Sequence, residues 1–344
     1  MRRQWIVGLV VLAIGVSMTF AVTDFRLFQL SLAISWAVAM LGLNLLTGFN
    51  GQISLGHGAF MGIGAYTVAI MVRDYGMSYP VAMVLAFVIC FVVGALMGIP
   101  ALRLPGTSLA LITVAFALAF PQIIKKYSGL TNGVGGIATK PDRQFRSPEW
   151  TGLTDDQFLY LVFVAIAALM FWLAWNLTRG RWGLAMMSVR DNPVSAASMG
   201  VNLPHTKVWT FAISAGYAGI GGALQMILTG FTGPDNWGVA VSIAVLTGIV
   251  IGGLGTIAGA LIGGIFQVFM PNWALNISES APGVVQGIVI ILVMLLAPGG
   301  VLGLVRRGRM WINSRRGGPV DEPPVVDPAV ELREGPEPAS AGPV

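Results

Sequence analysis

Charged residues are scarce in this sequence. Only 10% of its 344 residues are charged while 55% are hydrophobic, whereas a soluble globular protein carries about 25% charged residues. Most of the protein surface must therefore face something other than water. The net charge of +5 comes from a few loops and one tail, so nucleic-acid binding is a poor explanation for it. These features predict an integral membrane protein with no nucleic-acid partner.

Residues that perform chemistry are scarce as well. The one cysteine, Cys90, lies in an apolar run, and the two histidines, His57 and His205, occur in different contexts. A membrane enzyme would need a nucleophile or a metal cluster, which these residues do not supply. The phosphate-binding motif G-x-x-x-x-G-K-[ST] is absent. We therefore expect no catalytic residue, no metal, no cofactor and no ATPase site of this type in the chain itself.

Long apolar runs are what the sequence has in abundance. They fall at about 5–22, 27–46, 53–72, 78–100, 105–124, 157–177, 208–230, 238–270 and 283–305. Most are close to the ~20 residues that a helix needs to cross ~30 Å of hydrocarbon. The first run is long for a signal-peptide core and lacks a small-x-small cleavage pattern, so we expect it to be retained. The pattern predicts an all-α polytopic membrane protein.

The run 238–270 does not fit a single crossing. Its 33 residues would reach roughly 50 Å as one helix, which is too long for one crossing and too short for two full crossings with a turn. A natural break, Gly252-Gly-Leu-Gly255, lies near its middle. Gly259 and Gly263 follow at intervals of four, a spacing that lets backbones approach closely. We predict two short helices that meet near Gly252 to Gly255, and about ten membrane-embedded helices in total.

The basic residues predict the orientation. The loop 178–207 carries four of them against the single acid Asp191, and the stretch 306–316 after the last apolar run carries five arginines. Because cytoplasmic loops carry the excess of Lys and Arg, we expect both segments to be cytoplasmic, with an even number of crossings between them. A pair of short helices at 238–270 satisfies this requirement, and one long helix does not. Counting the crossings from the loop 178–207 back to the start of the chain places the N-terminus in the cytoplasm as well, so both termini are cytoplasmic.

The chain divides into two regions. Residues 1–305 form the predicted transmembrane domain, in which 125–156 is a long external segment that could receive a partner or close the outer mouth. Residues 306–344 are first basic and then rich in proline and acidic residues. Such a composition cannot bury enough apolar area to fold. We expect a disordered cytoplasmic tail without a transport role.

Polar side chains interrupt the apolar region between residues 42 and 60. Irregular backbone and polar groups at membrane depth either line a pathway or form hydrogen bonds between helices. The residues leave both interpretations open, although a histidine alone is more typical of a structural role. The residues of this possible substrate pathway are Asn44, Asn50, Gln52, Ser54 and His57, with Gly253 and Gly255 of the predicted break.

The segment 181–200 is too long for a simple connection and too apolar for a solvated linker. Asp191 or Asn192 can cap a short helix that begins at Pro193, and Gly200 can end it. A short helix that exposes methionine and alanine is typical of a docking element for another protein. The alternative is a helix that lies on lipid headgroups beside the arginines. The residues expected to mediate docking are Arg181, Met187, Arg190, Asp191, Asn192, Ala196, Ala197, Met199 and Gly200.

At these motifs the chain resembles the branched-chain amino acid permeases of bacterial ABC importers, specifically the LivM-type subunit. The resemblance covers residues from about 30 to 305. One departure is visible, since the family often has acidic residues where this chain has Asn192 and Val194. The motifs that carry the resemblance are Gly42-Leu-Asn44, Gly51-Gln-Ile-Ser-Leu-Gly-His-Gly-Ala-Phe60, Leu102-Arg-Leu-Pro-Gly106, Leu130-Thr-Asn-Gly133, 180–200, and Gly252-Gly-Leu-Gly255 with Gly259.

The resemblance implies an inner-membrane subunit that moves leucine, isoleucine or valine by alternating access. It implies a LivH-type permease partner, two cytoplasmic ATPase subunits that bind the ATP, and an extracytoplasmic substrate-binding protein, with 181–200 coupling to an ATPase. Permeases for urea or short-chain amides are similar and remain the alternative. A secondary transporter is less expected, because no Asp, Glu, Lys or Arg lies inside a predicted span to couple transport to an ion.

Overall fold

The computed structural model describes residues 2–102, 106–143, 145–275, 281–296 and 299–304, which are mostly helical. A π-helix, Asn44–Phe49, directly extends the second helix, and two short strands, β1 (Ile137–Ala138) and β2 (Phe231–Thr232), pair with each other. The helices are α1 (Arg2–Ala21), α2 (Asp24–Leu43), α3 (His57–Tyr75), α4 (Tyr79–Gly98), α5 (Gly106–Lys126), α6 (Ser128–Thr131), α7 (Asp155–Arg179), α8 (Arg181–Asp191), α9 (Pro193–Ser198), α10 (Leu203–Thr229), α11 (Val239–Gly252), α12 (Ile257–Leu275) and α13 (Ala281–Leu296).

The helices follow the predicted apolar runs. Every run contains a helix, and the run 238–270 contains two. The architecture is that of an all-α multi-pass membrane protein, while the total of about ten embedded helices stays a prediction. The predicted tail 306–344 lies outside the described residues. Within the described ranges, six helices are long and apolar enough to cross a membrane: Asp24–Phe49, Tyr79–Gly98, Ser108–Lys126, Asp155–Arg179, Leu203–Thr229 and Ile257–Leu275.

Helix α10 lies at the centre of the bundle, where it packs on α2, α3 and α4. Its glycines allow this close packing. A Cβ at Gly222 would collide with the main chain of Met61 in α3, and a Cβ at Gly219 would lie 2.5 Å from the sulfur of Cys90 in α4. Small residues let membrane helices approach backbone to backbone. The core therefore forms around a helix with little side-chain bulk on its contact faces.

The bundle has two distinguishable ends. Helix α7 spans 25 residues between the segments 125–156 and 181–200, a length of about 38 Å. Helix α10 runs the other way, from just after 181–200 to β2, which pairs with β1 of 125–156. The two segments therefore mark opposite ends. We call residues 181–200 the arm, its side of the bundle the arm end, and the opposite side the sheet end.

At the sheet end, the segment 125–156 folds against the connection that follows α10. Ile137 is buried and pairs with Thr232 in the antiparallel ladder. The indole Nε1 of Trp237 donates a hydrogen bond of 2.7 Å to Thr232 Oγ1, and Trp237 is itself buried. These contacts make the segment a folded cover over this end of the bundle.

Helices α11 and α12 form the predicted broken pair. The first ends at Gly252 and the second begins at Ile257, so the break lies at 253–256, one residue later than predicted. The helices are antiparallel, because Gly252 lies against Gly259 and Gly248 against Gly263. The absence of side chains at these positions lets the two backbones touch. The prediction that this run folds as two helices is confirmed.

Candidate functional site

The side chain of Asn44 supports the break between α11 and α12. Asn44 is fully buried at the first position of the π-helix. Its Nδ2 donates to the carbonyl of Thr256 over 2.6 Å, and its Oδ1 accepts from the N–H of Gly255 over 2.8 Å. Gly253 and Gly255 make the turn with φ values of 122° and 71°, which favour glycine. One amide thus satisfies two main-chain groups that the break leaves without helical partners.

Helix α3 begins inside the bundle rather than at its surface. Its first residue, His57, contacts Ser214 near the middle of α10, with 2.8 Å between Nε2 and Oγ. Ser214 donates its single hydroxyl proton to the carbonyl of Gly42 over 2.7 Å, so His57 Nε2 must be the donor of the first bond. The next residue, Gly58, donates its N–H to Ser242 Oγ of α11 over 2.8 Å. His57 therefore joins α3 to α10 and has the structural role that the sequence favoured.

The segment 50–56 connects the π-helix to α3 without regular structure. Ser54 Oγ accepts a hydrogen bond within this segment, and Gln52 Nε2 donates to the carbonyl of Lys207 over 3.3 Å. Asn50 is 2% exposed, yet neither polar atom of its amide has a hydrogen-bond partner among the described residues, and Gln52 Oε1 also lacks one. Since buried polar groups are normally paired, these two side chains retain capacity to bind another group. Asn44 and Ser54 thus fit the packing interpretation, and the pathway interpretation stays a prediction for Asn50 and Gln52.

The arm consists of α8 and α9, with Asn192 between them. The Oδ1 atom of Asn192 accepts hydrogen bonds from the N–H groups of Val194 and Ser195, both at 3.0 Å. Pro193 is the first residue of α9, and Gly200 follows its last turn with a φ of 84°. The predicted cap, start and stop of this helix are confirmed.

The arm residues predicted to dock on a partner differ in their exposure, and Val194, which was not among them, is exposed as well. Val194 and Met199 are 80% and 83% exposed, and Ala197 is also exposed; we call these three residues the apolar tip. Ala196, in contrast, is 1% exposed and faces its own chain, and Met187 packs partly buried against the core. The remaining predicted residues are exposed: Arg181, Arg190, Asp191, Asn192 and Gly200.

Arg190 connects the arm to the π-helix and to the break between α11 and α12. Its Nη1 donates a hydrogen bond of 2.8 Å to the carbonyl of Gly48 in the π-helix. The main chain of Gly48 in turn lies directly against Gly255, beside Asn44. Gly255 belongs to the break between α11 and α12, which we call the hairpin break. The arm, the π-helix and the break therefore meet in one place at the arm end. We call Asn44, Gly48, Arg190 and Gly255 the junction.

Gly48 of the junction was absent from the sequence prediction, as were three residues outside the motif 42–60: Ser214, Ser242 and Thr256. The first two contribute hydroxyl groups and the third its carbonyl, each to a partner in the motif 42–60. Their signal in the sequence is a lone hydroxyl residue in an apolar stretch. Thr247 has the same signal, but its Oγ1 donates within its own helix to the carbonyl of Ile243. Sequence alone therefore does not separate a hydroxyl residue that bonds to another element from one that bonds within its own helix.

The groups at this site are amides, hydroxyls, main-chain atoms, the imidazole of His57 and the guanidinium of Arg190. In the part of the chain that the structure describes, no group of three or more His, Cys, Asp or Glu residues is placed to hold a metal ion. Hydrogen bonding and helix ends are therefore the chemistry that the site offers to a ligand.

Comparison with known proteins identifies the family. The chain matches the model of the branched-chain amino acid transport system, permease component, over residues 25–298. It is 29% identical to the high-affinity branched-chain amino acid transport system permease protein LivM of Escherichia coli K12 over 89% of this chain and 76% of that protein. It is 24% identical to the probable branched-chain amino acid transport permease protein LivH of Methanocaldococcus jannaschii, over 77% of this chain and 87% of that protein. No solved structure matches. Because the family match covers most of the chain, the protein belongs to the family of branched-chain amino acid transport permeases.

Proposed function

We propose that this chain is the permease subunit of an ATP-driven importer that moves branched-chain amino acids across the bacterial inner membrane by alternating access. The observation that carries the proposal is the junction, in which the exposed arm contacts the π-helix and the break between α11 and α12 through Arg190. An ATP-driven permease without a nucleotide-binding motif must receive its energy by contact with another subunit. The apolar tip of the arm is a surface suited to that contact.

The proposed importer contains three kinds of partner. A LivH-type permease forms the second half of the membrane domain, which is supported by the similarity of this chain to proteins named LivM and LivH. Two cytoplasmic ATPase subunits bind the ATP, so this chain needs no cofactor of its own. An extracytoplasmic binding protein delivers the substrate. Membrane lipid covers the remaining apolar surface.

In the proposed orientation, the arm end faces the cytoplasm. The arginines of the segment 178–207 support this orientation, because positive loops stay on the cytoplasmic side. The sheet end, with 125–156, then faces the periplasm and the binding protein. About ten helices lie in the membrane, and both termini are cytoplasmic.

The proposed substrates are leucine, isoleucine and valine, as the names of the relatives suggest. The proposed pathway includes Asn50 and Gln52, because unpaired amide groups can bond to both the carboxylate and the ammonium group of an amino acid. It runs beside the segment 50–56, since irregular backbone at membrane depth is tolerated where it lines a cavity. Movement of the arm opens this pathway to the cytoplasm.

The coupling part of the proposal is tested at the apolar tip. Val194→Asp and Met199→Asp place a charge where an apolar contact is expected, and Val194→Ile and Met199→Leu are the matched controls. We expect each aspartate variant to lower ATP-driven leucine uptake and ATPase co-purification by at least about tenfold, the effect of losing an interface anchor. The control variants should behave as the unsubstituted protein. Unchanged ATPase co-purification and uptake in the aspartate variants would show that the arm tip is not the docking surface.

A further inference from the structure

Arg190 was expected among the residues that meet an ATPase, but its contacts lead into the bundle. Its Nε and Nη2 each lie 2.9 Å from Asp191 Oδ1, and its Nη1 binds the carbonyl of Gly48. A planar guanidinium held by two partners in different elements has a fixed position. The most exposed apolar residues of the arm, Val194 and Met199, lie in α9 and at its C-terminal cap.

The carbonyl that Arg190 binds lies at a helix end. Helix α2 and the π-helix form one continuous helix over 24–49, and Gly48 is its next-to-last residue. The last carbonyl groups of a helix have no partner inside it, and the helix dipole makes that end negative. A cation is stabilised there. Arg190 therefore caps the C-terminus of a helix that extends through the bundle.

Gly48 is also where this helix touches the hairpin break. A Cβ added to Gly48 would collide with Asn44 Oδ1 and with the N–H of Gly255, and a Cβ added to Gly255 would lie 3.7 Å from Arg190 Nη1. Asn44 then bonds to both sides of the break. The guanidinium, the Gly48 carbonyl and the turn between α11 and α12 thus form one continuous set of contacts. A displacement of Arg190 therefore changes the support of the π-helix and of this turn.

The segment that follows the π-helix holds the other side of the Arg190 side chain. Gly51 has a φ of 73°, and a Cβ added there would lie 2.7 Å from Arg190 Cγ. The arm therefore rests directly on the segment 50–56. This segment also carries two buried amides with free hydrogen-bonding capacity, Asn50 and Gln52.

We propose that Arg190 is a positioning residue that transmits movement of the arm to the π-helix and the hairpin break, instead of a residue that binds the ATPase. The inference rests on the proposed function, because it is the ATPase that would move the arm. When the arm moves, the Arg190–Gly48 hydrogen bond either carries the end of α2 with it or breaks. In both cases the contact between Gly48 and Gly255 changes, and the change reaches the buried amides of the segment 50–56.

The test uses the full importer complex in proteoliposomes with Arg190→Met and Arg190→Lys. Arg26→Met, which removes an exposed positive charge from the first turn of α2, outside the arm and outside the segment 125–156, is the control. We expect Arg190→Met to retain co-purification of the ATPase subunits and ATP hydrolysis, while uptake of labelled leucine falls by about tenfold, a typical coupling effect. Leucine uptake by Arg190→Lys should lie between that of Arg190→Met and that of the unsubstituted complex, because an ammonium lacks the planar fork that binds Asp191 and Gly48 together. Arg26→Met should match the unsubstituted complex.

Two results would overturn the inference: normal uptake in Arg190→Met, or loss of ATPase co-purification, which would place Arg190 on the docking surface. If the proposed function itself is wrong, the unsubstituted complex will show no ATP-driven leucine uptake, and both proposals fall together. If Arg190→Met does not fold or insert into the membrane, Gly51→Ala and Gly230→Ala decide the question. Both glycines have positive φ, 73° and 65°, but an added methyl group meets Arg190 only at Gly51. Uptake should fall in Gly51→Ala alone, and equal uptake in the two variants contradicts the inference.

Discussion

At the scale of single residues, Asn44 illustrates why a polar side chain is retained in an apolar helix. Its amide donates to Thr256 and accepts from Gly255, so a change of either polar atom leaves a buried main-chain group without a partner. Aspartate would lose the donor, and an apolar residue would lose both bonds. No other side-chain type of similar size supplies a donor and an acceptor in this arrangement.

We therefore expect Asn44→Ala to destabilise the protein. Two partly buried backbone groups would lose their partners, at a cost of at most about 1–3 kcal/mol for each. The measurement is thermal unfolding of the detergent-purified chain. Asn176→Ala is the control, because Asn176 is exposed on α7 and its change should stay within about 0.5 kcal/mol. Equal unfolding temperatures for the two variants would show that Asn44 does not support the break.

At the scale of elements, the broken pair α11–α12 depends on glycines at the contact between two antiparallel helices. A Cβ at Gly252 would collide with the carbonyl of Gly259, and one at Gly263 would collide with the carbonyl of Gly248. Both obstacles are main-chain atoms, which cannot rotate away as a side chain can. The separation of the helices, and with it the position of the turn at Gly255, is therefore set by these residues.

Gly252→Ala should push the two helices apart and destabilise the fold by about 1–3 kcal/mol, the range for overpacking a core. Gly287→Ala in α13 is the matched control, because an added Cβ there meets nothing within 4 Å. Alanine is the better helix former by up to about 1 kcal/mol, so the control should be neutral or slightly stabilising. Thermal unfolding compares the two, and a loss of stability in Gly287→Ala equal to that in Gly252→Ala would contradict this explanation.

The elements also show what the sequence can and cannot predict. The length of the run 238–270 and its glycines predicted the broken pair, and Asn192 and Pro193 predicted the start of α9, because chain length, caps and proline act locally. The π-helix at 44–49 and the start of α3 at His57, later than the predicted 53, were not foreseen. Both depend on partners distant in sequence, Thr256 and Ser214. For the same reason the hydrogen bond between Arg190, which was assigned to docking, and Gly48 was not foreseen, since the two residues lie 142 positions apart.

At the scale of the whole molecule, the glycine-rich α10 at the centre links the two ends of the bundle. It begins beside the arm, contacts His57 near its middle through Ser214, and ends at the small sheet. The junction lies at the arm end, and the folded cover 125–156 lies at the sheet end. A movement imposed on the arm thus acts at the end of the bundle opposite to that cover, as alternating access requires.

The central claim is that this molecule works as one subunit of an ATP-driven importer for branched-chain amino acids. The most direct measurement is uptake of labelled leucine by the complete complex in proteoliposomes, with ATP or a non-hydrolysable analogue and with excess urea as competitor. We predict uptake that requires ATP hydrolysis and every subunit, that isoleucine and valine inhibit, and that urea leaves unchanged. Leucine uptake without ATP hydrolysis, or transport of urea in place of leucine, would contradict the claim.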